Sequence, residues 1–135
     1  MFANTVDYEL TRADGVLVNV SLRLNVLAQI QLKKKWNEGT TETLFNAVDD
    51  IERFVDVMGK ALNYVGNSNT IKDGAELVDL MAINGLLGMA EKQKIITSLG
   101  AVSGIFSEKE KAAIDKRAGA MFEGALEEGE ADSKN

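Results

Sequence analysis

Residues 6–36, VDYELTRADGVLVNVSLRLNVLAQIQLKKKW, contain the change of period that decides the fold. Up to Leu24, apolar residues alternate with mainly polar ones, and many of them are β-branched, which is the pattern of half-buried strands. The Asp14-Gly15 pair within this stretch is typical of a tight turn between antiparallel strands. We therefore expect a β-hairpin over residues 6–24.

The period changes at Asn25, a residue type that often caps the start of a helix. Residues 26–36 then have a helical pattern and end in Lys33, Lys34 and Lys35, with Gly39 just beyond. Cations in the last turn and a glycine after it are common at helix C-termini. We therefore expect the first helix to span residues 26–36 and to stop before Gly39.

The second predicted helix begins at a cap formed by Thr40 or Thr41 and continues to residue 65. Its apolar residues recur every three or four positions, which is the spacing of one buried helical face. A kink is expected near Asp49-Asp50, because Asp is a weak helix former. The residues predicted to share the buried face are Leu44, Val48, Ile51, Val55, Met58, Leu62 and Val65.

Three more helices follow a predicted loop, Gly66-Asn67-Ser68-Asn69. They span about residues 73–84, residues 89–99 with Ile95, Ile96 and Leu99 buried, and a last helix that begins at Ser107. Glu110 lies three residues after Ser107, and this pair forms the capping-box pattern. Two pairs of glycines, Gly85/Gly88 and Gly100/Gly104, are interpreted as helix ends or hinges, with close helix contacts as the alternative.

The predicted fold class is therefore α+β and predominantly α-helical, with an N-terminal β-hairpin followed by about five helices. A chain of 135 residues suits one domain, which we place at residues 1–126. Residues 127–135 carry four acids and one base, and we expect them to form a disordered acidic tail. A two-stranded hairpin is marginal in isolation, so it is expected to pack on the helices.

Three residue types are missing from the composition, since the chain has no Cys, no His and no Pro. This excludes disulfides and thiolate nucleophiles, and it removes the usual general base near neutral pH. Zinc sites lose their common ligands as well. With no phosphate-binding glycine loop and no recognisable arrangement of catalytic groups, we predict a protein that is not an enzyme and needs no cofactor or metal.

Charge and hydropathy exclude further classes of protein. The net charge of −6 opposes nonspecific binding to DNA and to anionic membranes. The first ten residues lack the basic run and apolar core of a signal peptide, and the apolar stretches are shorter than a membrane span. We therefore expect a protein of the cytoplasm that binds other proteins, with no membrane or nucleic-acid partner.

Two charged clusters have alternative interpretations. Asp49, Asp50, Glu52 and Asp56 could hold a hard cation such as Mg²⁺, but a solvated helix face is the favoured interpretation, because charged residues usually face water. The run from Lys33 to Trp36 could bind nucleic acid by stacking a base on the indole. The favoured interpretation is a helix C-terminus stabilised by cations, with Trp36 in the core.

The last helix is the best candidate for binding a partner protein. Its apolar stripe contains methionine, which adapts to varied partner surfaces, and a partner helix binds such a surface at helical spacing. Burial of this stripe in the core is the favoured interpretation, and partner binding is the alternative. The predicted binding residues are Ile114, Ala118, Met121, Phe122 and Leu126, with Ala125 beside them.

The order of these features resembles that of tail assembly chaperones of long-tailed, non-contractile phages and their prophages. The resemblance lies mainly in GVLVNVSLRLN, residues 15–25, which leads into the helix over residues 26–35. Many such chaperones have a hairpin strand ending in a Leu-Arg-Leu-Thr junction, followed by a capped helix and a glycine. Here Asn25 replaces the Thr, and Gln29 and Gln31 stand in a helix that is often Glu-rich. The stretch LFNAV, residues 44–48, is similar to the family's second helix.

The resemblance implies a role in virion assembly within the cytoplasm of a bacterial host. Family members bind the long, helical tape measure protein before tail tube subunits polymerise around it, and they are absent from the mature virion. They are often made in two lengths by a ribosomal frameshift, and an acidic tail such as residues 127–135 suits the shorter form. The implied partners are thus the tape measure protein and the tail tube protein, with self-association into a homo-oligomer left open.

Two other functions compete with the chaperone hypothesis. A structural tail or head–tail connector protein would share the small helical architecture, but it would be found in purified virions. A small DNA-binding regulator would use the helix that contains Lys33 to Trp36, and it would shift mixed-sequence DNA at low salt.

Overall fold

The computed structural model describes residues 4–62 and 71–116. Within them a two-stranded antiparallel hairpin is followed by six helices, so the predicted α+β, mainly helical class is confirmed. The strands are β1 (Val6–Thr11) and β2 (Leu17–Leu22). The helices are α1 (Val26–Trp36), α2 (Thr40–Ala47), α3 (Ile51–Leu62), α4 (Gly74–Ile83), α5 (Met89–Val102) and α6, whose described residues are 108–116.

The hairpin forms where the alternation predicts it. Leu10 pairs with Val18 and Tyr8 with Val20, so the apolar positions of both strands share one face. Leu10, Val18 and Val20 are buried against the helices. The turn closes through a hydrogen bond from the Gly15 amide to the Arg12 carbonyl at 2.9 Å. Gly15 has a φ of +88°, a left-handed conformation that glycine adopts without steric cost.

Helix α1 begins and ends through short polar residues. The Asn25 side chain accepts a hydrogen bond from the Ala28 amide at 2.8 Å, which confirms the predicted cap. At the other end Asn37 adopts a left-handed conformation with a φ of 51°, and its amide bonds to the Lys33 carbonyl. The helix thus spans residues 26–36 and stops before Gly39 as predicted, but the left-handed residue that ends it is Asn37 and not Gly39, because Asn also tolerates this conformation.

The second predicted helix is two helices in the structure. Asp50 accepts hydrogen bonds from the amides of Glu52 and Arg53 at 3.0 and 3.4 Å, so it caps a new helix near the place where a kink was expected. This break raises the number of helices from about five to six. The predicted cap at Thr40 or Thr41 is also wrong, since the N-cap position of α2 is Gly39, which has no side chain to donate or accept.

The break also changes which face of α3 is buried. Ile51 is 53% exposed, and Val55 is half-buried, although both were predicted in the buried stripe. The phase of the helix restarts at Asp50, so the stripe from α2 does not continue in register. The buried residues of α3 are Phe54, Val57, Met58, Ala61 and Leu62. Leu44 in α2 and Val48 directly after it are buried as predicted.

Helix α3 is the centre of the core. It packs against α1, α2, α4 and β2, and its contact with α4 is especially close because two glycines meet there. A Cβ added at Gly59 would lie 3.3 Å from the backbone nitrogen of Gly74. That contact is tight, but a Cβ added at Gly74 would lie less than 3 Å from backbone atoms of α3, so Gly74 in particular has to be a residue without a side chain. Val65 and the predicted loop at residues 66–69, between these helices in the chain, lie outside the described residues.

The C-terminal helices follow the sequence closely. Asp73 caps α4 through the Glu76 amide at 3.0 Å, and Ile95, Ile96 and Leu99 are buried in α5 as predicted. Gly85 and Gly104 have φ values of 72° and 77° just after α4 and α5, and Gly88 is the N-cap of α5; these three glycines mark helix ends. Gly100 instead lies within α5, where the hinge interpretation is wrong.

The hairpin and the helices are joined by a polar junction. The Leu24 amide donates to the buried Ser103 hydroxyl at 2.8 Å, and the Arg23 guanidinium donates to the Val102 carbonyl at 2.8 Å. The Arg23 amide also donates to the Ala61 carbonyl at 3.3 Å. The strand-to-helix junction is thereby fixed to the end of α5 and to α3 at the same time.

The close approach of α3 and α4 predicts a large effect for Gly74→Ala. The added Cβ would lie 2.8 Å from the Gly59 nitrogen and closer still to the Val55 carbonyl oxygen, and backbone atoms cannot move aside as side chains do. We expect the free energy of unfolding to fall by about 2–3 kcal/mol, measured by urea denaturation followed by circular dichroism.

Gly88→Ala is the matched control for that variant. Gly88, the N-cap of α5, also lies at the start of a helix, but the nearest atom to its added Cβ is Glu91 Cγ at 3.8 Å, an ordinary contact. The control should lose less than about 1 kcal/mol, the scale of an N-cap change. Equal losses in the two variants would contradict the proposed packing constraint.

Candidate partner-binding surface

The surface starts at the turn that follows α5. The amides of Ile105 and Phe106 both donate to the Gly100 carbonyl, at 2.8 and 3.1 Å, which folds the chain back over the helix. Gly104 supplies the positive φ in this turn. The Phe106 ring then lies directly on Gly100, where any Cβ would overlap it. The missing side chain at Gly100 therefore sets the position of Phe106.

On its solvent side, the Phe106 ring contacts a second aromatic ring. Phe45, from α2, stacks on it with ring centroids 5.6 Å apart and an interplanar angle of 28°, a favourable offset arrangement. Phe106 is buried, at 4% exposure, whereas Phe45 is 42% exposed. The stack thus places a large aromatic surface in contact with both the core and the solvent.

Helix α6 forms the other wall of this surface. It begins with the predicted capping box, in which the Glu110 amide donates to the Ser107 hydroxyl at 3.1 Å and the Ser107 amide donates to a Glu110 carboxylate oxygen at 3.2 Å. One turn further, Ile114 is half-buried and packs against the core. The capping box therefore fixes where the apolar side of α6 faces.

These elements enclose a shallow apolar groove of about 260 Å³. We call it the aromatic groove. Its apolar side chains come from α2, from α6 and from the turn before α6, and exposed polar residues form its edge. The lining residues are Thr41, Phe45, Phe106, Glu110, Ala113 and Ile114.

The structure places one of the predicted binding residues in this groove. Ile114 lines it, while Ala118, Met121, Phe122 and Leu126, with Ala125, lie outside the described residues, as does the predicted tail at residues 127–135. Phe45 and Phe106 were not predicted as binding residues. Phe45 lies off the predicted stripe of its helix, and Phe106 stands in a loop without periodicity, so no local pattern indicated that their rings would meet.

Within the candidate nucleic-acid surface, the indole ring of Trp36 is covered by another side chain of the protein. The Arg53 guanidinium lies 4.4 Å from the centre of the indole ring, at a distance typical of cation–π contacts. Trp36 is half-buried and packs against the core, in agreement with the favoured interpretation. Lys35 pairs with Asp56 at 2.7 Å, so it is engaged by a carboxylate of the same chain.

Arg53 also links two carboxylates. Its Nε donates to a Glu38 oxygen at 2.8 Å, and its Nη1 donates to Asp50. These hydrogen bonds from Arg53 lower the pKa values of both Glu38 and Asp50, because they stabilise the charged carboxylates. The same two hydrogen bonds raise the pKa of Arg53, because they stabilise the charged guanidinium.

The acidic residues at and before the start of α3 form no cation site with the other residues that the structure describes. Among residues 4–62 and 71–116, no three acidic side chains come together in a way that could hold a metal ion. Asp50 and Asp56 are instead paired with Arg53 and Lys35. These two carboxylates therefore form ion pairs within the protein.

A second cleft of about 230 Å³ lies between the hairpin turn and α4. Its charges are mixed, because Arg12 faces the same cleft as Glu76 and Asp79. Ile83 at its edge is 60% exposed. With neither a continuous apolar lining nor a single sign of charge, this cleft is a weaker binding candidate than the aromatic groove.

Comparison of the chain with protein-family models, curated proteins and solved structures found no match of any of the three kinds. No helix in the described part of the chain is long and apolar enough to cross a lipid bilayer. The resemblance to phage chaperones thus stays a prediction from the sequence.

The Arg53 ion pairs predict an acid-sensitive component of stability. The pKa values of Glu38 and Asp50 lie below their ordinary values of 4.5 and 3.8. The pairs therefore stabilise the fold above those values, and their contribution disappears as the pH falls through the lowered pKa values. We expect Arg53→Gln to be less stable than the natural chain near neutrality, with a difference that shrinks below about pH 4.

Urea unfolding at a series of pH values measures this difference. Lys94→Gln is the control, because it removes one positive charge from an exposed position on α5, outside the Arg53 cluster. A stability difference for Arg53→Gln that stays constant into acid would contradict the assignment, as would the same pH profile in the control.

Proposed function

We propose that this chain is a tail assembly chaperone of the phage type, which binds apolar helical stripes of a tape measure protein before the tail tube forms. The observation that carries the proposal is the aromatic groove, an apolar surface open to solvent beside the predicted binding helix. A half-exposed Phe stacked on a buried one offers a partner a rigid anchor, as aromatic residues do at many protein interfaces.

The size of the groove supports a protein partner over a small ligand. Its volume of about 260 Å³ is below the roughly 300–1,000 Å³ that is common for small-molecule sites. A groove of this size suits one or two apolar side chains of a partner. In a partner helix, apolar side chains recur every three or four positions. One of them could enter the groove while the next ones lie along α6.

The sequence beyond residue 116 continues the same chemistry. Ala118, Met121, Phe122 and Leu126 follow Ile114 at spacings that suit one apolar stripe. A tape measure protein is long and rich in helices whose apolar stripes would aggregate if left exposed. A small acidic protein with an adaptable apolar surface would keep such a chain soluble.

Release of the partner is proposed to occur by competition. The sequence contains no phosphate-binding loop, so there is no recognisable site for a nucleotide that could drive release. Tail tube subunits would have to cover the same helical stripes that the chaperone covers. Binding of the tube protein would then free the chaperone, which would be absent from the mature particle.

Co-expression with the tape measure protein from the same genome tests the binding. We expect the partner to be insoluble alone and to co-elute with this chain on size exclusion. Phe45→Glu places a charge on the exposed side of the aromatic groove, so it should weaken the complex by about tenfold or more, the scale of an aromatic anchor at an interface.

Met89→Glu is the matched control for the groove variant. Met89 is 45% exposed, close to the 42% of Phe45, but it lies at the start of α5, at the other end of the helix from Phe106. It should leave co-elution unchanged.

If the two proteins never associate, or if this chain is found in purified virions, the chaperone hypothesis is wrong and the structural tail protein becomes the better hypothesis.

Competition with the tube protein is a separate test. Purified tail tube protein added to the complex should shift this chain to its free elution volume, and the amount released should rise with the concentration of tube protein. A complex that persists at a large excess of tube protein would contradict release by competition while leaving the binding function intact.

A further inference from the structure

Helix α1 exposes an apolar face that no described part of the chain covers. Val26, Leu27 and Ile30 are 71%, 62% and 46% exposed, which is high for three large apolar residues within two turns. The opposite side of the helix is the one that meets the core, through Ala28 and Leu32. We call the outer surface, formed by Val26, Leu27, Ile30, Lys33 and Lys34, the basic face of α1.

The basic face follows from the helical period. At about 100° per residue, Lys33 and Lys34 fall on the same side as Val26, Leu27 and Ile30, away from Ala28 and Leu32. The face is therefore apolar in its first two turns and positively charged in its last. Helix α1 contains three Lys residues and no acid, so its charge opposes that of the whole chain.

The two lysines of this face form no ion pair within the described residues. The ion pairs found there engage Lys35, Arg53 and Lys111 with carboxylates, and neither Lys33 nor Lys34 takes part. A surface that combines exposed apolar residues with unmatched positive charge fits an occupant with apolar and acidic residues.

We propose that the occupant is the chain's own C-terminal segment, residues 121–132. This segment, MFEGALEEGEAD, contains five acids and no base, and it includes Met121, Phe122 and Leu126. Its apolar residues come first and most of its acids come later, which is also the order of apolar and basic residues along α1. A parallel alignment therefore brings apolar residues onto Val26, Leu27 and Ile30 while the acids reach Lys33 and Lys34.

The segment is long enough to reach this face. Gln29 of α1 donates to the Ser103 carbonyl at 3.5 Å, so the turn before α6 begins beside α1. Residues 103–116, including the helical part from 108, cover at most about 30 Å from there. Eleven further residues to Glu127 span up to about 36–40 Å when extended, which allows the acids to return to Lys33. The six residues from 117 to Phe122 span up to about 20–22 Å, so the apolar residues reach the start of α1 when residue 116 lies within that distance of it.

Other occupants fit the basic face less well. A second copy of α1 in antiparallel orientation would bring lysines to the positive N-terminal end of its partner, where cations are unfavourable. An anionic membrane would be opposed by the net charge of −6. The proposed contact lies within one chain, so it does not depend on a phage partner. A partner that takes Met121 and Phe122 would compete with it and uncover α1.

Paramagnetic broadening in the full-length chain tests the contact. Because the chain has no Cys, Ala131→Cys provides a single site for a spin label without changing the charge. We expect the amide signals of Val26, Leu27 and Ile30 to weaken strongly in an isotope-labelled chain. Lys33→Glu/Lys34→Glu should abolish the weakening, and adding Glu127→Lys/Glu128→Lys should restore it.

Lys92→Glu/Lys94→Glu makes the same change in net charge on α5 and should leave the weakening in place. Absence of weakening in the natural charge pattern would overturn the proposal, and so would failure of the charge exchange to restore it. A mixture of two samples distinguishes contact within one chain from contact between two copies. One sample carries the spin label and no isotope, and the other carries the isotope and no spin label. Weakening of α1 signals in that mixture, at the strength seen within the single labelled chain, would assign the face to another molecule and overturn the intramolecular contact.

Discussion

Helices α3 and α4 approach each other closely at Gly59 and Gly74, and the core is arranged around this contact. Because neither residue has a side chain, the two backbones come near enough for α3 to be covered on one side by α4 and on others by α1, α2 and β2. Phe54, Val57 and Met58 are consequently inaccessible to solvent. A helix buried on so many sides stabilises a small domain by removing a large apolar area from water.

A second set of contacts connects this core to the surface that we associate with binding. Ser103 receives the Leu24 amide, so the end of α5 is held against the strand-to-helix junction. The turn that follows folds back onto Gly100 and places Phe106 under Phe45. The aromatic groove is therefore a consequence of how α5 ends, and its walls are fixed before any partner arrives. A preformed apolar surface loses less conformational entropy on binding than one that must be ordered.

The aromatic groove and the basic face of α1 differ in the charges around them, so we expect them to bind different segments. The aromatic groove has a mainly polar edge with Glu110 beside it, which suits an apolar helix of a partner. The basic face of α1 carries Lys33 and Lys34 in a chain whose net charge is −6, which suits an acidic occupant. Since Met121 and Phe122 belong to both the predicted binding stripe and the proposed occupant of α1, partner binding and self-contact would be mutually exclusive.

Features that depend on neighbours within a few residues could be predicted from the sequence. The hairpin, the cap at Asn25 and the capping box at Ser107 and Glu110 each form through contacts between residues close in the chain, and their patterns predict them. Even the break at Asp50 was indicated as a kink. Tertiary structure alone decided that α3 turns Ile51 to solvent, that the Phe45 and Phe106 rings meet across sixty residues of chain, and that Val26, Leu27 and Ile30 face outward. Periodicity shows which residues share a face, but which face is buried depends on the elements that the rest of the chain brings against it.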